Sequence, residues 1–157
     1  MRLWTACISL VAMMGATTNV STSRFTAQLP GQWEYRPSSD ATVYARGDDV
    51  VFITTAMPGD EDPDRLGMRI ADMRRKLIDD LARGRSKLTP ITKTAEAKRT
   101  IFSFGGEDPQ NGKRLQIAVI SFHDLIVTVA LYRPLNAPGE AFEDLARSIA
   151  SSVNVQH

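Results

Sequence analysis

Apolar positions in this chain fall in short runs, and the densest set lies between Arg99 and Arg133. Thr100–Gly105 carries Phe102 and Phe104. The segment Glu107-Asp108-Pro109-Gln110-Asn111-Gly112-Lys113 then combines Pro, Asn-Gly and charge, which marks a turn. Leu115–Phe122 and Leu125–Tyr132 follow, with only His123-Asp124 between them, the pattern of a tight hairpin. These runs are rich in Val, Ile, Phe and Tyr, which suit a pleated surface. Leu125, Val127, Val129 and Leu131 fill one face of the last run, yet Ile126, Ala130 and Tyr132 are apolar on the other. Strands apolar on both faces are covered on both faces, so helices or long loops are expected on each side of the sheet. Ser121, His123 and Asp124 interrupt the stretch well short of the ~20 apolar residues of a membrane span.

Upstream, Phe25, Ala27 and Leu29 alternate within Arg24–Glu34, which predicts a strand; Pro30-Gly31 turns the chain and Trp33 returns a large apolar group to the core. Thr42–Ala45 is a second short strand, and Gly47-Asp48 turns it into Val50–Ala56, again apolar on both faces. A charged loop, Met57–Asp64, leads into a helix predicted over Pro63–Arg83. Asp62 is placed as its N-cap, Pro63 at the first helical position and Asp64 in the first turn. Leu66, Ile70, Met73, Leu77 and Leu81 recur on one helical face, Asp72 and Lys76 stand at i,i+4, and Gly84 is the stop.

Lys87–Lys98 is ambiguous. Leu88–Thr92 suits an edge strand because of Pro90, and Thr94–Arg99 is read as the start of the strand into the central stretch. After the hairpin, Arg133–Gly139 is a loop with Pro134 and Pro138. Glu140–Ser152 is a second helix with Phe142, Leu145, Ala146 and Ile149 on one face and Val153 one turn on. The tail Asn154–His157 is expected to fray. The order of elements gives an α+β fold: an antiparallel sheet of about six strands flanked by two helices, an α/β/α sandwich.

The 157 residues suffice for one domain with a real core. Nineteen Lys and Arg against 18 Asp and Glu argue against nucleic acid or an anionic membrane as the partner. Met1-Arg2, the uncharged run Leu3–Ala16 and the small polar residues after it have the layout of a secretory signal. The expected division is a signal over residues 1–18, with cleavage near Ala16 or Thr18, and a domain over 24–153. Cys7 is the only cysteine and lies inside that signal, so a mature chain would hold no disulfide, thiolate site or Cys nucleophile. A bacterial periplasmic or secreted location follows, without a transmembrane segment once the signal is removed.

Candidate chemistry is sparse. Ser121, His123 and Asp124 are the residue types of a hydrolase triad, but so close in a hairpin they cannot surround one reacting atom; there is no G-x-S-x-G elbow. Asp60, Glu61, Asp62 and Asp64 could hold a hard cation, but lack EF-hand spacing and read better as a helix-capping loop. Gly105-Gly106 lacks the strand-to-helix context of a phosphate loop. His123 and His157 are too few for zinc. Met57, Met68 and Met73 read as core filling. Arg65, Arg69, Arg74, Arg75 and Lys76 make the first helix basic, and they form either a solvated surface or a docking face for an acidic partner. No catalytic, cofactor or metal residue is assigned; Arg65, Arg69, Arg75 and Lys76 are the candidate partner-contact face.

Phe25-x-x-x-Leu29-Pro30-x-x-Trp33, the long helix after the third strand, and Phe142-x-x-Leu145-x-x-x-Ile149 in the last helix resemble the PsbP-like and DcrB-like family of small secreted α/β/α-sandwich proteins. That resemblance covers nearly all of the chain after the signal. It implies the fold and a secreted location. It also implies an accessory, binding or chaperone-type role without a shared catalytic signature, since some bacterial relatives accompany secretion-system effectors. The expected function is a non-catalytic, protein-contacting accessory protein, of effector-associated chaperone or immunity type, needing no cofactor. The alternative is a small-ligand or lipid carrier, or a small hydrolase, with its site between sheet and helix.

Overall fold

The computed structural model describes residues 15–57, 63–82 and 87–156. The apolar run before residue 15, Cys7, Asp60, Glu61, Asp62, Gly84, His157 and the side chains of Leu77 and Leu81 lie outside that description. The elements in order are β1 (Thr17–Ser21), β2 (Phe25–Pro30), β3 (Glu34–Arg36), β4 (Thr42–Arg46), β5 (Asp49–Ala56) and α1 (Pro63–Ala82). They continue with β6 (Lys87–Leu88), β7 (Thr92–Ala95), β8 (Thr100–Asp108), β9 (Lys113–Ser121), β10 (Ile126–Pro134), α2 (Phe142–Ser152) and β11 (Asn154–Val155).

The α+β class holds, with two helices, but the described residues form eleven strands in two sheets rather than about six in one. The large sheet runs β3-β4-β5-β10-β9-β8-β6, with β7 also on β8; a small sheet runs β1-β2-β11. The difference comes from short strands that apolar alternation cannot mark. β3 is wholly exposed, and the tail expected to fray pairs Asn154 with Thr26 and Val155 with Phe25. Thr94–Arg99 does not start the central strand. β7 ends at Ala95, the Glu96 N–H donates to the Arg99 carbonyl at 2.8 Å, and β8 begins at Thr100.

The central hairpin turns where predicted. Phe122 and Leu125 flank the His123-Asp124 turn, with the Phe122 N–H bonded to the Leu125 carbonyl at 2.8 Å. β8 runs on through Gly105-Gly106 to Asp108, past the predicted end. Those glycines answer close approaches: a Cβ would collide with the Gln116 side chain at Gly105 and with the Lys87 carbonyl at Gly106.

β9 and β10 are covered on both faces, as their composition requires. Ala118, Ile120, Val127, Val129 and Leu131 face a core closed by Phe142, Ile149, Ala150 and Val153 of the α2 region and by Phe25, Ala27 and Leu29 of the small sheet. Leu115, Ile117, Val119 and Ile126 face the other way, toward Phe102, Phe104, Leu66 and Ile70. Trp33 is buried as expected and donates from Nε1 to the Pro30 carbonyl at 2.8 Å. The C-terminal end of α2 is held by Arg99, whose guanidinium donates to the Val153 and Ser151 carbonyls at 2.6 and 3.0 Å.

Asp49 and Arg133 lock β5 to the loop entering α2. Arg133 Nε and Nη2 donate to the two Asp49 carboxylate oxygens at 2.6 and 2.8 Å. Arg133 Nη1 reaches the Pro138 and Glu140 carbonyls, and the guanidinium stacks 5.1 Å from the Phe142 ring centroid. The Asp49 hydrogen bond raises the Arg133 pKa above its ordinary range. That loop sets Ala141 at φ 59°, and the helix starts at Phe142 rather than Glu140.

Candidate binding face

The α1 side of the large sheet is only half covered. Register puts Phe104, Ile117, Ala130, Phe52 and Val43 in one cross-strand row on this face, from β8 to β4. Exposure climbs along it as far as β5 and falls again at β4: Phe104 is 3% exposed, Ile117 7%, Ala130 is half-buried, Phe52 is 38% exposed and Val43 6%. The neighbouring row of Phe102, Val119, Thr128 and Thr54 repeats the trend, from two buried residues through a half-buried one to exposed Thr54. α1 therefore shields β8 and β9 and leaves β5 open. The apolar composition of Val50–Ala56 suggested cover on both faces; one face of β5 is largely bare.

The helix is anchored toward the sheet edge. Leu66 and Ile70 are the buried residues among its described side chains, and Arg74 donates to the Thr89 and Leu88 carbonyls, both at 2.9 Å. Asp64 pairs with Lys93 of β7 at 3.7 Å. At 3.6 residues per turn, Arg74 and Asp64 lie on the flank facing that edge, while Arg65, Arg69 and Lys76 lie on the opposite flank. The basic stripe thus borders the open sheet. Arg75 points away from the sheet and pairs with Asp72 at 2.8 Å, so Asp72 is engaged by Arg75 rather than by the expected Lys76. All four residues of the candidate contact face, Arg65, Arg69, Arg75 and Lys76, are exposed. Met57, Met68 and Met73 are exposed as well, against the expectation of core filling.

The open face is built around an aromatic pair. Phe52 meets Tyr132 edge-on, with centroids 5.7 Å apart and planes at 88°. With Val50 and Leu115 they line a concavity of about 420 Å³ rimmed by Asp48 and Lys113. Lys113 Nζ lies 5.9 Å from the Tyr132 ring centroid. Burial pushes the Tyr132 phenol above its ordinary pKa, so it stays neutral at physiological pH. This face carries apolar contact with a charged rim. Sequence reasoning missed it, because a strand apolar on both faces does not show which stretch of sheet a helix will cover.

A second concavity, about 540 Å³, lies on the other side, between α2 and β7–β8. Its floor is Ile101, Ser103 and Ala118, its wall Ala146 and Ala150, and Glu96, Glu143 and Arg147 stand at its mouth. The other sequence candidates stay apart from both. His123 and Asp124 are exposed at the hairpin tip and Ser121 is paired within the sheet. Asp64 is engaged by Lys93. Among the described residues, no three His, Cys, Asp or Glu side chains gather as a metal site, and no helix is long and apolar enough to cross a membrane.

No protein-family model matches the chain, and no curated protein matches it by sequence. Solved structures do. The solution structure of cyanobacterial PsbP (CyanoP) from Synechocystis sp. PCC 6803 superposes with a TM-score of 0.69 at 15% identity, over 97% of this chain and 98% of that one. The Saccharomyces cerevisiae Ran-binding protein Mog1p superposes with a TM-score of 0.57 at 12% identity, over 90% of this chain and 96% of that one. At such identities the likeness is one of architecture, and on it this chain has the PsbP-like fold.

Proposed function

We propose that this protein is a non-catalytic accessory protein that works by contact with another protein, through the open α1-side face. The observation that carries the reading is the exposure gradient from Phe104 to Phe52, which ends in an aromatic surface with charge at its rim. Exposed apolar surface of that kind is costly to leave bare and marks contact sites. One solved neighbour, Mog1p, is a Ran-binding protein, so the architecture is compatible with gripping a protein. The proposed location is a bacterial periplasm or beyond, reached through the signal over residues 1–18, with 24–153 as the domain body. The Leu3–Ala16 run and a domain without cysteine support it.

The test is size-exclusion chromatography of extract from the native source, with the protein detected by antibody. Wild type is expected to elute in a complex. Phe52→Asp is expected to elute as folded free protein, with a melting temperature lowered by a few degrees because the ring still packs edge-on against Tyr132. Co-elution of both forms in the same complex contradicts the reading. The 540 Å³ groove beside α2 favours a second reading, a small-ligand carrier. Native mass spectrometry of the purified protein separates the two: a stoichiometric small molecule lost in Ala146→Trp, a groove residue only partly buried, supports the carrier.

A further inference from the structure

We infer that the groove beside α2 binds an uncharged sugar, with the Gln116 amide as its central hydrogen-bonding group. The inference rests on the small-ligand reading of that groove and names the ligand class; the open α1-side face plays no part in it. Three observations carry it.

The first is shape. A hollow of about 410 Å³ opens beside the start of α2, lined by Thr89, Glu107, Arg114, Gln116, Gly139 and Glu143 among others. Thr89, Gln116 and Glu143 also line the 540 Å³ groove. The two therefore join into one trough along α2, with Gln116 at the junction. Gln116 of β9 pairs across the ladder with Gly105 of β8, and its side chain lies over that residue, where any Cβ would collide with it.

The second is unspent polarity. No described residue hydrogen-bonds the half-buried Gln116 amide, which offers both donors and an acceptor. Thr89 Oγ1 accepts the Gly105 N–H at 3.0 Å and keeps its own proton to donate. In the hollow's wall Arg114 Nη2 donates to Glu107 at 3.4 Å, while Nη1 is buried without an acceptor. An alkyl ligand laid over this floor would leave the Gln116 amide buried and unpaired, which is costly. A ligand with hydroxyls of its own pairs with it.

The third is charge. The cations on the trough are already engaged, Arg114 by Glu107 and Arg147 by Asp144 at 3.0 Å. Glu96 is engaged by Arg99 at 2.7 Å. Glu143 is the lining carboxylate without a partner among the described residues. An anionic head therefore finds no free cation. An amine finds one exposed carboxylate, which solvent screens. A sugar hydroxyl finds in the same Glu143 a charged acceptor. Ile101, Ala118, Ala146 and Ala150 add an apolar strip along the groove, which suits the C–H face of a sugar ring.

The experiment is an array of neutral, acidic and amino sugars probed with the purified protein, followed by calorimetric titration of the sugars that bind. Neutral sugars are expected to bind. Gln116→Leu is expected to weaken them about tenfold, the scale of lost hydrogen bonds to an uncharged group. Ala146→Trp, which fills the groove from its half-buried wall, is expected to abolish binding, and it carries the test if Gln116→Leu does not fold. Phe52→Asp is expected to leave the affinity unchanged. Binding confined to acidic or amino sugars overturns the uncharged class. Neutral-sugar binding that Ala146→Trp leaves intact overturns the site, and binding indifferent to Gln116→Leu overturns the role of its amide. No sugar bound, with a co-purified small molecule lost in Ala146→Trp by native mass spectrometry, overturns the sugar and leaves the carrier reading standing. No sugar and no co-purified molecule overturn both.

Discussion

Phe142→Ala is expected to lower folding stability by about 3–5 kcal/mol, the range for truncating a fully buried aromatic. Phe142 is 1% exposed. It is the first residue of α2, and its ring lies in the core shared by both sheets, beneath the Arg133 guanidinium. Truncation opens a cavity where three layers meet, and little can collapse into it because the entering loop is tied down by Arg133. A domain of this size has roughly 5–15 kcal/mol in total, so the change consumes a large share. Denaturant titration of the purified protein reads it directly, with the slope unchanged if unfolding stays two-state. A loss below about 1 kcal/mol would mean that the α2 layer is loosely seated.

Asp49→Ala is expected to cost about 3 kcal/mol, at the lower end of the range for removing one member of a buried ion pair. Asp49 is 6% exposed and takes both oxygens' worth of the Arg133 fork, with Arg46 at 3.5 Å as a weaker neighbour. Without it Arg133 keeps only backbone carbonyls as partners in a half-enclosed site, while Arg46 loses its carboxylate. Asp49→Ala with Arg133→Met should be less damaging than the two single losses summed, because the second change removes the charge that the first strands. A double-mutant cycle by denaturant titration tests this. Additive losses would show that the two side chains do not act as a unit.

The parts of the fold that could be read from the sequence are those where a residue's own neighbours decide its fate. β9 and β10 are apolar on both faces and are covered on both. Phe142 and Ile149 share a helical face and are buried together, and Trp33 goes inside. The parts that could not be read depend on distant chain. Asp49 and Arg133 are 84 residues apart, and nothing local marks either as a partner. Glu34–Arg36 and Asn154–Val155 become strands only because β4 and β2 offer edges to them.

The candidate face shows the same division. Arg65, Arg69 and Lys76 were visible as a basic stripe, but only the Arg74 contacts to Leu88 and Thr89 reveal which flank of α1 borders open sheet. Phe52 looked like any core residue of an apolar strand. Its exposure follows from α1 being docked over β8, a fact of tertiary placement. The three methionines misled for a related reason: an apolar side chain on a helix or strand end is buried only if something arrives to cover it.

The open α1-side face as the working surface is tested most directly by photo-crosslinking in the native cell. A benzophenone side chain is placed at Phe52 and, in a parallel strain, at Glu143 beside the α2 groove. The account predicts a single discrete protein adduct from position 52 and none from position 143. Adducts from 143 alone, or a small molecule labelled there while position 52 stays silent, would contradict it and move the function to the groove.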